Sequence, residues 1–403
     1  MERRTFLRET LSISAAASAL SLGQRSEAAD EKGTTASAAP VLQGFPVLTG
    51  PAGDALAVLQ ALNGPATGFV ELKRPGQEWQ RIDAEAGGLL PYDRYVLKVR
   101  LPPLEPGEEV AYRVTAVPID FQNAYKILRG DAVTTPERTF RVLDGDAPET
   151  RFVVWNDTHE NLETITALQR ETQKISPDFL LWNGDQTNDV YSEEKMANQY
   201  LSPGGLEVAA RWPLAYARGN HDVRGPAARS LSRFTGTPDD RFYYGFRSGP
   251  LAALVLDTGE DKPDDHPVFG GLAGFAAMRQ RQAEWLARVT KEAWFATAEH
   301  KVLFCHIPLW WTTEEQGGAW TFSKVCREAW LPALKACGIK LVVSGHTHDP
   351  KWLPAGEARP IAQLIGGGPK PAAATIIEGH ATRKTLALTM RSLDGKVLQT
   401  VEL

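Results

Sequence analysis

The chain has 403 residues, 44 Lys and Arg against 49 Asp and Glu, a formal net charge of −5, and 43% hydrophobic and 23% charged residues. That length exceeds one ordinary core and predicts two domains plus accessory segments, while the mild acidity disfavours a nucleic acid polymer as partner and leaves small phosphate-bearing molecules open. The three cysteines, Cys305, Cys326 and Cys337, are too few and too scattered for a disulfide framework or a thiolate metal cluster, and read as buried thiols.

At the N-terminus, Arg3-Arg4-Thr-Phe6-Leu7-Arg8 precedes an apolar run at 11–22 and a small-x-small site at 26–28. Residues 1–28 resemble a bacterial twin-arginine export signal, which places the mature protein in the periplasm or outside the cell. The run is shorter than the about 20 apolar residues that span a bilayer, so no transmembrane span is expected. Residues 29–42 are mostly small and polar and read as a linker. Across 43–146, short runs of strand composition at 56–62, 68–72, 94–101, 109–117 and 138–142 are cut by Gly, Pro and Asp, which predicts a small antiparallel sandwich. The stretch from Leu104-Glu-Pro-Gly107 to Tyr112 resembles the turn and strand of fibronectin type III-like domains. No cluster of His, Asp or Glu in this segment reads as a site, so it is expected to pack or to bind a partner without chemistry of its own.

From 147 to 403 the rhythm changes. A strand at 151–156, a helix at 162–175 and a strand at 178–182 form a crossover unit, the signature of a largely parallel, buried sheet in an α/β fold. Further strands are predicted at 212–217, 251–256, 301–305 and 340–343 and helices at 275–289 and 322–336, with a strand-rich end from 360. Five motifs each follow one of these strands: Asp157-Thr-His159, Gly184-Asp185, Gly219-Asn220-His221-Asp222, Cys305-His306 and Gly345-His346-Thr-His348. Carboxyl ends of strands in open α/β sheets form the ligand-binding crevice, so residues far apart in sequence converge there. Setting His221 aside, that rim collects the imidazoles of His159, His306, His346 and His348, the carboxylates of Asp157 and Asp185, and the amide of Asn220. Mixed imidazole and oxygen donors suit Mn, Fe, Zn, Co or Ni better than Mg or Ca. Seven donors are too many for one tetrahedral ion and enough for two divalent or transition metal ions sharing a carboxylate.

In order and spacing these motifs resemble the calcineurin-like metallophosphoesterases over about residues 150–350. The resemblance implies a two-sheet α/β/β/α sandwich. It implies that Asp157, His159 and His348 hold one ion, that Asn220, His306 and His346 hold the other, and that Asp185 bridges them. A β-sandwich ahead of such a domain also resembles the purple acid phosphatases, but their tyrosine ligand would fall at Asn188, so no iron-tyrosinate colour is expected. The implied chemistry is attack on a small phosphate ester by a hydroxide held between the ions, with His221 stabilising charge or protonating the leaving oxygen. Asn188 is expected to orient His221, with Asp222 as a second support, and Arg224 to reach a substrate phosphate or to form a surface ion pair. The resulting function is an exported two-metal phosphoesterase. The alternatives are a phosphodiesterase acting on cyclic nucleotides or other diesters and, in another class, an inactive phosphatase-like cell-envelope binding protein. Loops 191–207 and 259–274 are expected to choose the substrate. Gly366-Gly-Gly368 is expected to form a turn, Trp310, Trp311 and Trp320 to pack rather than stack on a ligand, and Cys305 to point away from its neighbour His306.

Overall fold

A computed structural model describes residues 41–52, 56–311 and 321–403; the export signal, most of the linker and Trp320 lie outside the described residues. Residues 147–403 form two sheets packed face to face. The first holds Glu149–Trp155, Phe179–Asn183 and Leu214–Ala217 as parallel neighbours, with the antiparallel ribbon of Thr375–Thr382, Leu386–Ser392 and Val397–Glu402 added on one side. The second runs Tyr244–Ser248, Leu251–Leu256, His300–Cys305, Leu341–Ser344, Ala362–Ile365 and Lys351–Leu353, its middle four strands parallel.

Side-chain alternation builds the layers. In Glu149–Trp155, Phe152 and Val154 face the second sheet and pack with Phe179, Leu181, Val255, Phe304 and Val343, while Val153 and Trp155 face the opposite side. There the helix Leu162–Ile175 covers them with Ile165 and Leu168, which are fully buried. Burial of each such side chain contributes about 1.5–3 kcal/mol. The Asn161 side chain caps that helix by accepting from Thr164 N at 3.1 Å, and Ser176, at φ 50°, ends it. The outer face of the second sheet is covered by the helices Phe275–Val289 and Thr321–Ala336 through Trp285, Leu286, Trp330 and Leu334. The order is helix, sheet, sheet, helix, as the motif resemblance implied.

The N-terminal segment makes its own core, in which Val58, Leu97 and Val99 meet Val70, Val110, Tyr112 and Phe140. One of its sheets is Gln80–Asp83, Ala66–Lys73, Glu109–Asn123 and Lys126–Arg129. Its other strands, Leu42–Thr49, Ala57–Leu62 and Val96–Arg100, continue the first large sheet, with Thr49 parallel to Leu214. Ala57–Leu62 is buried on both faces for this reason: Val58 and Leu62 enter the N-terminal core, and Ala57, Leu59 and Ala61 enter the core around Trp155. Among the described residues no helix is long and apolar enough to cross a membrane.

Candidate metal centre

Every motif sits just past a strand, on the rim where parallel strands of the two sheets end. The backbone there is unusual. Asp157, His159, Asp185, His346 and His348 have φ of 46°, 43°, 52°, 71° and 56°, a left-handed conformation that costs non-glycine residues on the order of 1–3 kcal/mol each. Such turns let a chain leaving a strand fold its side chain back over the rim. Glycines clear the space: a Cβ on Gly184 would stand 2.3 Å from His306 Nδ1, one on Gly219 2.2 Å from Asp185 Oδ1, and one on Gly345 2.3 Å from Asp157 Oδ2.

Two donor groups result, Asp157 with His159 and His348, and Asp185 with His306 and His346, and a third, His159 with Asp185 and His221, overlaps both. Asp185 Oδ2 lies 3.1 Å from His306 Nε2 and 3.4 Å from His159 Nε2, between the two groups. His348 Nε2 is 3.5 Å from Asp157 Oδ1 and 3.2 Å from His159 Nε2. The ring orientations are set from behind, with tautomers assigned from the hydrogen-bond network. His306 Nδ1 donates to Asn183 O at 2.9 Å and His159 Nδ1 to Asn188 Oδ1 at 3.1 Å, so each Nε2 keeps its lone pair toward the centre. Asn220 Oδ1 is buried with no hydrogen-bond partner, and His306 Nε2, also buried, has only the Asp185 carboxylate beside it. A buried acceptor is rarely left so in proteins, and a cation is one group that would satisfy it. The donor set therefore fits two transition-type ions.

Two sequence expectations are corrected here. The Asn188 side chain orients His159, and it is the Asn188 backbone oxygen that accepts from His221 Nδ1, at 2.8 Å. Asp222 is buried and turned away from His221. Its Oδ2 accepts from Gly219 N at 2.8 Å and Asp185 N at 3.0 Å, and its Oδ1 from Tyr200 Oη at 2.6 Å. It ties the loop carrying Asn220 to the one carrying Asp185 and is a positioning residue. Arg224 is committed to Glu260, at 2.9 Å from Nε and 2.6 Å from Nη2, while its Nη1 stands 3.1 Å from His221 Nε2. The ion-pair alternative is the one seen, half-buried and with Glu260 and Asp261, and the same guanidinium also faces His221. Also missed were Tyr200, Glu260, and Glu160, whose carboxylate accepts from Asn188 N at 2.7 Å and pairs with Lys195 at 2.8 Å. None of the three belongs to a motif, and only the adjacency of Glu160 to His159 could have marked it.

Gly366–Gly368 is not a turn. Its amides are used internally, Gly366 N by Ser344 O and Gly367 N by Thr375 Oγ1, and the run presses against Asn156 and Asp157. Trp310 is buried and Trp311 half-buried in the core of the second sheet, as is Cys305, so these packing readings hold for the described residues.

Without metal, burial alone would lower the His306 pKa, but Asp185 and Asp157 override it and hold it at about 10. His346, half-buried with its ring 5.3 Å from that of His306, is pushed down to about 4 and carries no proton near neutral pH. A metal ion requires neutral imidazole. The metal-free protein keeps the His306 proton below its raised pKa and the loaded protein does not, so binding strengthens as pH rises, by about tenfold per unit for one proton displaced. Calorimetric titration of metal-free protein in buffers of different ionisation enthalpy should report about one proton released from this group per loaded chain; an affinity constant across the neutral range would remove it.

The family model for calcineurin-like phosphoesterases matches residues 150–350. The serine/threonine-protein phosphatase CPPED1 of Mus musculus is 27% identical over 169 residues, 41% of this chain and 48% of that protein. The Homo sapiens protein of that name is 26% identical over 171 residues, again 41% and 48%. Acid phosphatase type 7 of Danio rerio is 25% identical over 166 residues, 38% of this chain and 36% of its own length. The chain spans about half the length of the first of these relatives. Among solved structures, a purple acid phosphatase, PPD1 from yellow lupin (Lupinus luteus) seeds, aligns with a TM-score of 0.63 at 15% identity, covering 89% of this chain and 73% of that one. PhoD aligns at 0.56 and 12%, covering 89% and 92%. At these identities the structural likeness is one of fold.

Proposed function

The chain carries a calcineurin-like phosphoesterase domain at residues 150–350, and from that premise we propose that it hydrolyses small phosphate monoesters at a two-metal centre. The observation that carries the reading is the meeting of two donor groups around Asp185, with Asn220 Oδ1 left without a partner. Asp157, His159 and His348 would hold one ion, His306, His346 and Asn220 the other, and Asp185 both. Two divalent ions bound there supply charge neutralisation for phosphoryl oxygens and acidify water to a nucleophile near neutral pH.

The chain's own groups do the rest. His221 presents only Nε2 to the substrate side, since its Nδ1–H is held by Asn188 O. Arg224, fixed by Glu260, faces that nitrogen. The phosphatase names of the relatives favour monoesters over diesters. Residues 1–28 support export through a twin-arginine signal by their Arg3-Arg4-Thr-Phe6-Leu7 order alone. Residues 43–146 are read as a fibronectin type III-like module, supported by the separate core around Tyr112 and by fold likeness reaching beyond residues 150–350.

A panel of p-nitrophenyl phosphate, its bis-ester and cyclic nucleotides, run on purified protein and on cell fractions, tests the whole reading. Monoester turnover with about two transition ions per chain is expected, and in the envelope fraction unless both Arg3 and Arg4 are changed to Lys. A folded protein with no bound metal and no turnover of any ester would leave the inert binder standing instead.

A further inference from the structure

A cavity of about 610 Å³ opens against Arg224, within the size range of small-molecule sites. It shares Arg224, whose Nη1 faces His221 Nε2, and Asp189, next to the Asn188 carbonyl that holds His221 Nδ1. One end of it is thus a single side chain away from the histidine. Its walls come from the two loops the sequence marked as substrate-determining: Tyr191 from one, Val268, Phe269 and Leu272 from the other, with Phe275 at the base of the following helix.

The wall is apolar and uncovered. Tyr191, Val268 and Leu272 are 69%, 66% and 73% exposed, although large apolar side chains gathered on a concave surface normally have something to bury them. The Phe269 and Phe275 rings stand edge to face at 6.1 Å and give one side of the wall an aromatic surface. The charges nearby are largely neutralised: Arg224 and Lys262 are paired with Glu260 and Asp261. Arg229, exposed and without an ion pair among the described residues, adds a single positive charge at the rim, suited to drawing in an anionic ester.

We propose that this cavity is the leaving-group subsite and that it selects phosphate esters of bulky apolar alcohols, aromatic ones above all, over esters of small or strongly polar alcohols. The proposal rests on the phosphoesterase reading and names its substrate class. Tyr191, Val268 and Leu272 are its specificity-determining residues, none of which touches the reacting atoms.

The test compares 1-naphthyl phosphate with phenyl phosphate, two aryl esters that differ chiefly in bulk. Wild-type protein should favour the naphthyl ester about tenfold in kcat/KM, mainly through KM. The double variant Val268→Asp and Leu272→Asp should reduce that preference to about twofold or less. Its metal content and thermal unfolding report whether it folds, and Leu272→Gln serves as the milder substitution. A wild type without preference, or a preference that survives in both variants, overturns the subsite. Binding of 1-naphthyl phosphonate, followed by its own fluorescence on metal-loaded protein, is read in parallel. Hydrolysis of neither ester would overturn the phosphoesterase reading alone, and the cavity would then stand or fall by whether the double variant weakens phosphonate binding about tenfold or leaves it unchanged.

Discussion

Asp185→Asn is expected to take metal content from about two ions per chain to below one and to lower kcat/KM for p-nitrophenyl phosphate at least about 10³-fold. The carboxylate is 1% exposed and stands between both donor groups, its Oδ2 within 3.4 Å of His159 Nε2 and 3.1 Å of His306 Nε2. Its other oxygen is already engaged, accepting from His221 N at 2.9 Å. Asparagine keeps the volume and can keep that backbone contact, so the loop should hold. What it removes is the negative charge common to both groups, and whichever amide end faces the histidines, one ion loses its anionic donor and the shared position fails. Asp157 also reaches toward both groups, but its Oδ1 comes only to 3.8 Å from His306 Nε2. Atomic absorption on purified variant and wild type, with unfolding curves to exclude gross damage, decides the matter. Two ions retained together with near-normal turnover would take Asp185 out of the shared position.

The helices at residues 162–175 and 275–289 were legible to the residue, because an apolar face at helical spacing is a local signal. Leu42–Thr49 was not, and its first residue was assigned to the linker. Its neighbours upstream are small and polar, it contains Pro46, and what makes it a strand is pairing with Ala57–Leu62 and with Leu214, a partner 165 positions away by number from Thr49. Tyr244–Ser248 escaped for a similar reason: Gly245 interrupts its pattern, and only its ladder with Leu251–Leu256 fixes it. That the N-terminal strands share a sheet with the catalytic half follows from the same long-range pairing and leaves no mark in local composition.

The site was legible in its donors and illegible in their supports. Each donor group is assembled from short motifs whose order carries the information, and the strand ends explain why they meet. Asn188 was placed beside His221 through its side chain, whereas the carbonyl reaches His221 and the side chain reaches His159. Whether a residue acts through its carbonyl or its amide depends on loop torsions that spacing does not encode. Asp222 is the same lesson in charge. A carboxylate beside a catalytic histidine suggests a partner for it, yet this one is satisfied by Tyr200 and two backbone amides, and only the fold reveals the direction in which it points.

His221→Ala is expected to leave metal content at the wild-type level and to lower kcat for alkyl phosphates by roughly 10²–10⁴-fold, the range for loss of a positioned acid, with a much smaller loss for p-nitrophenyl phosphate. Geometry alone leaves two roles open, since His221 also lies within ligand distance of His159 and Asp185. Both ring nitrogens are already engaged by the protein, Nδ1 by Asn188 O at 2.8 Å and Nε2 by Arg224 Nη1 at 3.1 Å, which argues against a ligand role; to act as an acid, Nε2 has to exchange the Arg224 contact for the leaving oxygen. Burial lowers the His221 pKa, with Arg224 adding to the effect and Asp185 opposing it. A histidine with its pKa below the ordinary value of about 6.5 gives up its proton readily. Its protonated form is lost as pH rises through that lowered value, so kcat for alkyl esters should fall with rising pH from below the usual histidine range, and the alanine variant should lack that fall. A nitrophenolate leaves without help, an alkoxide does not, and the ratio of the two losses therefore separates an acid from a residue that merely packs. Loss of a metal ion in His221→Ala, with both esters slowed alike, would make His221 a ligand instead.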